Sequence, residues 1–160
     1  MLNLKIICVG KLKERFYTDA ADEYIKRLSA YCKLEILELS EYRLPDAPSA
    51  MQIAMALEKE CSTILAKIPP GTLTVAMCVE GRELDSHGLS ELLSESALRG
   101  TSRLCFIIGG SNGLHDEIKN RADIRLTMSK MTFPHNLARV MLLEQLYRAF
   151  SIAEGGKYHK

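Results

Sequence analysis

Four side chains near the end of the chain have the chemistry to move a proton or hold an anion: His135, Arg139, Tyr158 and His159. The two imidazoles titrate near neutrality and suit general acid–base work. The phenol of Tyr158 can stack on a ring or hydrogen-bond to it, and Arg139 offers a planar, permanently charged fork. The position of Arg139 is the odd one. At about 100° per residue, the segment after Pro134 places Leu142, Leu143, Leu146 and Phe150 on one broad apolar face, with Arg139 in its middle. A guanidinium there must snorkel to water or meet a negative partner.

Three other stretches could build a ligand pocket from backbone. The run FIIGGSNGLHDE puts Gly109, Gly110 and Gly113 between a strand-like segment and a helical one. Glycine there permits positive φ and lets a ligand reach the main chain, whose N–H groups bind acceptors. The same glycines would equally serve a tight turn with no ligand. The run TMSKMTFPHN supplies Met128, Ser129, Lys130, Met131, Thr132 and Phe133, a mixture of soft apolar surface and hydroxyls. Pro134 then sets φ for a helix start, with Thr132 a candidate N-cap. The third stretch is MCVEGR, from Met77 to Arg82. Ligand loops gather outside the carboxyl ends of parallel strands, and three side by side would form a flat, mostly apolar slot suited to a purine ring. A dinucleotide-binding fold would instead carry G-x-G-x-x-G after its first strand, where this chain has VGKLKE.

The elements that must carry these loops alternate from end to end. Short apolar runs at 4–9, 34–39, 73–79, 104–108 and 124–128 read as strands, and helical periodicity occupies 16–30, 51–68, 89–98, 114–121 and 137–152. Such alternation predicts an α/β fold with a mainly parallel sheet of about five strands and helices on both faces. Ser49 and Ser86 are candidate helix starts, and Pro69-Pro70-Gly71 ends the second helix. At 160 residues the chain reads as a single domain, 1–160, able to bury a core without disulfides or metal.

The five cysteines are an odd number with no C-x-x-C pair, so they read as buried reduced thiols, and no metal is expected. No apolar run approaches the ~20 residues of a membrane span and the start fails as a secretory signal, which predicts a cytoplasmic protein with no membrane partner. A net charge of +1 exerts little long-range pull on nucleic acid, so any such contact must be local. Small basic clusters at Lys11, Lys13 and Arg15, at Lys26 and Arg27, and at the tail are the places for it.

Taken in order, IIGGSNG, LTMSKMTFPHNLARVMLLEQLYRAF and the terminal YHK resemble the bacterial ribosomal RNA large subunit methyltransferase H family, a minimal branch of the SPOUT methyltransferases. The resemblance is strong over 73–160 and looser before it. It implies a C-terminal trefoil knot, which no periodicity would reveal, and a homodimer. It also implies S-adenosyl-L-methionine held by Met77, Gly109, Gly110, Met128, Ser129, Lys130, Met131, Thr132 and Phe133. The implied reaction is methylation of N3 of a pseudouridine in helix 69 of 23S ribosomal RNA within the ribosome, with the tail closing over the active site. The chain departs from the family at Cys78, where relatives often carry an acid, and at Lys160, where others have arginine.

Methyl transfer is an in-line displacement that depends on alignment, and N3 must lose its proton. His159 and His135 are the candidate acceptors of that proton, and Tyr158 a stacking or hydrogen-bonding partner for the base. The apolar stripe of the last helix is then expected to be the homodimer seam rather than one chain's core. Arg139 would lie near the partner's active site, against a carboxylate or an RNA phosphate. Two other readings use the same residues: a knotted methyltransferase acting on transfer RNA, and a non-catalytic ribosome-binding protein.

Overall fold

Alternate residues of the central strands feed two separate cores. In β1 (Leu2–Val9), Leu2, Leu4, Ile6 and Cys8 join one core, while Ile7 and Val9 join the other. In β4 (Arg103–Ile108), Leu104, Phe106 and Ile108 face the first core, and Cys105 and Ile107 the second. This is the period-two signature of a sheet covered on both faces. The computed structural model describes residues 1–160. The remaining elements are α1 (Arg15–Leu28), β2 (Cys32–Leu39), α2 (Ala50–Ala66), β3 (Leu73–Glu83), α3 (Ser86–Leu98), α4 (Asp116–Arg121), β5 (Ile124–Thr127) and α5 (His135–Ala153).

The five strands are all parallel, in the order β2-β1-β4-β3-β5. The larger core, of 18 buried residues, lies under α1, α3 and α5; the smaller, of nine, lies under α2 and α4. Chain direction explains the sorting. The connections through α1 and α3 step one way across the sheet and those through α2 and α4 step the other, so a single crossover hand puts the two sets on opposite faces. The α/β sheet with helices on both faces is therefore as the alternation predicts. No helix is long and apolar enough to cross a membrane.

Element ends show where sequence periodicity stops being informative. Ser49 does cap α2, in a full capping box: its hydroxyl accepts the Gln52 N–H at 3.1 Å and its own N–H donates to the Gln52 side chain at 2.8 Å. Ser86 is not a cap; Asp85 is, accepting the Gly88 N–H at 2.7 Å. Nor does Thr132 cap α5, which starts after Pro134 with no side-chain cap bond.

Strand β3 runs to Glu83, beyond the expected end at 79. An irregularity between Met77 and Arg82 resets its register, and Arg82 and Glu83 pair again with β5. Gly81 makes this possible: a Cβ there would lie 2.6 Å from the Leu126 backbone.

The apolar stripe of α5 is core, which corrects the expectation of a dimer seam. Leu142, Leu143 and Leu146 are at most 1% exposed and pack against β1, β4, α1 and α3 of their own chain. Burying each contributes about 1.5–3 kcal/mol, so a single chain already uses these three leucines, while Phe150 at the end of the stripe is half-buried.

Candidate active site

The carboxyl ends of β3, β4 and β5 open into one cavity of about 700 Å³. That volume lies in the usual range for a small-molecule site. Met77 and Cys78 line it from β3, and Gly109 to Gly113 from the turn after β4. Met128, Ser129, Met131, Thr132, Phe133 and His135 line it from the loop after β5 and the start of α5. The three loops that residue type marks out in the sequence thus converge. Of the nine expected donor-binding residues, Lys130 alone is outside the lining, on the exposed surface.

The glycine turn is shaped by contacts of its own. Gly113, at φ +77, returns its N–H to the Gly110 carbonyl at 3.0 Å. A Cβ on Gly109 would collide with the Gly113 carbonyl, and one on Gly110 would come within 2.8 Å of the Glu41 carboxylate. That carboxylate accepts the Ser111 N–H at 3.0 Å and so braces the turn from the loop between β2 and α2. Nothing in the sequence around Glu41 signals this, because the contact spans 70 positions.

The loop after β5 is folded by its hydroxyls. Thr127 Oγ1 donates to the Ser129 carbonyl at 2.8 Å and accepts the Ser129 N–H, while Ser129 Oγ accepts the Met131 N–H at 3.0 Å. Such side-chain bonds replace helix or ladder partners over short spans. At the rim, Glu80 pairs with Lys119, and the hydrogen bond from that ammonium holds the Glu80 carboxyl below its ordinary range. The Cys78 thiol beside it is pushed up by burial. All five cysteines are free, four of them buried.

His135 stands where α5 meets the turn after β1. Gly10 there adopts φ +103, and a Cβ on it would lie 3.4 Å from His135 Nε2. Arg139 secures the same turn from below. Its Nη1 donates to Glu38 of β2 at 2.7 Å and its Nη2 to the Gly10 carbonyl at 3.0 Å, with the side chain 5% exposed. The misplaced cation therefore does pair with a carboxylate, but within its own chain and outside the cavity lining.

The tail is also outside the lining. Tyr158 donates to Glu144 at 3.1 Å, lies 3.5 Å from the Tyr24 hydroxyl and packs edge-on against Tyr147. Arg148 bonds both Glu144 and His159 Nδ1, the latter at 3.2 Å, and stacks over Tyr158. Burial, aided by the Tyr24 and Glu144 hydrogen bonds, pushes the Tyr158 phenol well above its ordinary range. It is therefore a neutral donor and not a base. Glu144 lies nine residues along α5 from His135, about 13 Å at 1.5 Å per residue. One chain does not bring its own tail to its own cavity.

On the opposite face, Cys61, His115 and Glu117 hold ligand atoms within 4.8 Å of one another. All three groups are engaged internally: the Cys61 thiol donates to the Glu117 carboxylate at 3.6 Å, and His115 Nδ1 caps α4 by accepting the Glu117 N–H.

The fold and cavity define a parallel α/β protein with a cavity of small-molecule size walled by turns at the strand ends. Comparison with known proteins sharpens this. Residues 2–159 match the family described as Predicted SPOUT methyltransferase. Over 159 residues, 99% of this chain and the whole of each relative, it is 47% identical to Ribosomal RNA large subunit methyltransferase H of Clostridioides difficile (strain 630) and 48% identical to that of Clostridium novyi (strain NT). A solved structure, a probable methylase family protein from Haemophilus influenzae Rd KW20, shares the fold at a TM-score of 0.53 and 13% identity, covering 99% of this chain and 71% of that one. The chain belongs to the ribosomal RNA large subunit methyltransferase H family of SPOUT methyltransferases.

Proposed function

We propose that the protein is a cytoplasmic, homodimeric methyltransferase that uses S-adenosyl-L-methionine to methylate N3 of a pseudouridine in helix 69 of 23S ribosomal RNA. The observation that supports this reading is the one cavity that three main-chain turns form together, in a chain whose full-length relatives are named Ribosomal RNA large subunit methyltransferase H. The cradle suits the donor. The turn from Gly109 to Gly113 puts main chain in its wall, and Met77, Met128, Met131 and Phe133 offer apolar surface to a flat ring. Lys130 would act from the rim, as a charge near the donor's carboxylate. A trefoil knot through these loops belongs to the same proposal and is supported by family membership alone.

When bound, the donor supplies a sulfonium methyl whose carbon–sulfur bond breaks as the carbon–N3 bond forms. The chain's own residues align the acceptor and manage the N3 proton. His135 is the imidazole in the cavity wall and the candidate acceptor of that proton. Tyr158 and His159 would come from the partner's tail, because a chain's own tail packs on Glu144 and Arg148 of α5, outside the lining of its own cavity. Tyr158, whose one proton goes to Glu144, would stack on the base or accept a hydrogen bond from it. Arg139 acts as a positioning residue that fixes the turn beside His135.

The test uses purified protein, labelled donor and ribosomes from a strain lacking this modification, with the label located by mass spectrometry. Label on the large-subunit pseudouridine is the expected result; label on transfer RNA, or no donor binding by calorimetry, refutes the proposal. Truncation after Gly156 should leave donor binding within about threefold and reduce methylation by at least 100-fold, since general acid–base groups are worth about 10²–10⁴.

A further inference from the structure

A second groove, of about 650 Å³, adjoins the donor cavity, and the two share Ser111, Asn112 and His135. Its character is different. The loop after β1 contributes Lys11 and Lys13, and the loop after β2 contributes Arg43. All three are exposed, and none takes part in any of the chain's ion pairs. Two carboxylates also line the groove, Glu14 and Glu41, but Glu41 is engaged by the Ser111 N–H. The lining also includes Asn136, the residue after His135, whose amide oxygen is buried with no hydrogen-bond partner. Nearly every buried polar atom in a folded protein is satisfied, so an unpartnered one in a groove wall is a place for a ligand's donor.

We propose that this groove holds the RNA strand that delivers the acceptor base. Lys11, Lys13 and Arg43 contact phosphates flanking the target nucleotide, and Asn136 accepts a hydrogen bond from that nucleotide's ribose hydroxyl or base N–H. The proposal rests on the RNA-methylating function proposed above and adds the substrate track to it. Three features single out a polynucleotide strand. The cations come from two loops along one groove, as a row of phosphates requires. The groove leads past His135 into the donor cavity, so a base carried by the strand would enter at the reacting end. An acceptor beside the entry suits RNA, whose 2′-hydroxyl is a donor. A net charge of +1 leaves no general attraction to do this work, so the local cations must.

The experiment compares wild type with a Lys11→Ala/Lys13→Ala/Arg43→Ala variant and with Asn136→Ala. Anisotropy of a labelled single-stranded oligoribonucleotide bearing the acceptor base is titrated at several salt concentrations, alongside calorimetry of S-adenosyl-L-methionine. For the triple variant we expect donor affinity within about twofold of wild type, RNA affinity lowered at least tenfold, and a log–log salt slope smaller by about 2, at roughly 0.7 for each phosphate no longer neutralised. For Asn136→Ala we expect weaker RNA binding with an unchanged salt slope, and a reduced preference for RNA over the matching DNA. Wild-type RNA affinity and slope in the triple variant overturn the proposal, as does an equal loss of donor and RNA binding. If these variants lose RNA binding as expected but the wild-type protein never methylates ribosomal RNA, the groove stands and the proposed function fails. Should the cations instead serve an acidic protein partner, RNA binding will survive their removal.

Discussion

Glu38→Ala should destabilise the protein more than Arg139→Met, although both break the same ion pair. The asymmetry follows from burial: the Arg139 side chain is 5% exposed and that of Glu38 is 35% exposed. Removing Glu38 strands a guanidinium in the apolar stripe of α5 with the Gly10 carbonyl as its remaining acceptor. Breaking a buried pair in this way costs about 3–5 kcal/mol, and the partial solvation of this one argues for about 3. Removing Arg139 leaves a carboxylate that water already reaches. Methionine fills much of the same apolar volume, so the loss is close to that of an exposed pair plus one hydrogen bond, about 1–2 kcal/mol. The double variant should be more stable than Glu38→Ala alone, because it no longer buries a lone charge. Equilibrium urea unfolding at one fixed protein concentration measures all three, with stability taken from midpoint and slope. Equal costs for the two single variants, or strict additivity in the double, would refute the reasoning.

Three further outcomes are expected. Cys78 is the one cysteine that is not fully buried and it lines the cavity, so Ellman's reagent at about pH 8, near the ordinary thiol range, should label it first. Saturating S-adenosylhomocysteine should slow that labelling at least tenfold; an unchanged rate would separate Cys78 from the ligand site. Burial pushes Cys8 and Cys32 up to about 11 and Cys105 to about 12, from 9.0. Raised folded-state values mean their contribution is fully present below pH 9 and lost as pH climbs toward 11–12. The unfolding free energy from urea titrations should fall across that window, by up to about 1.4 kcal/mol per pH unit for each thiol, and a flat profile would contradict it. Gly81→Ala should lower the melting temperature by several degrees, since its Cβ would lie 2.6 Å from backbone that has no room to yield, a clash of about 1–3 kcal/mol. An unchanged melting temperature would show that β3 and β5 can part there without cost.

Much of the fold is legible in the sequence because it depends on local periodicity. The alternation in β1 and β4 and the apolar face of α5 each repeat over a span in which near neighbours in sequence remain neighbours in space. The extension of β3 to Glu83 is not legible, since those residues are mostly exposed and their pairing depends on how close β5 comes to Gly81. The loops around the cavity stand out by residue type at strand ends, and all three converge. Glu41, which braces the glycine turn, and Asn136, which lines the adjoining groove, carry no such signal in the sequence.

Arg139 shows the boundary between the two kinds of information. Helical geometry assigns an azimuth from position alone, so the order of residues is enough to put a guanidinium within the apolar stripe of α5. What satisfies that charge is settled by the folded chain. Its partner Glu38 is 101 positions away, and its second acceptor, the Gly10 carbonyl, is 129 away. Which distant strand comes alongside a helix is set by the order of the whole sheet and the packing beneath it, so no local pattern can name the partner.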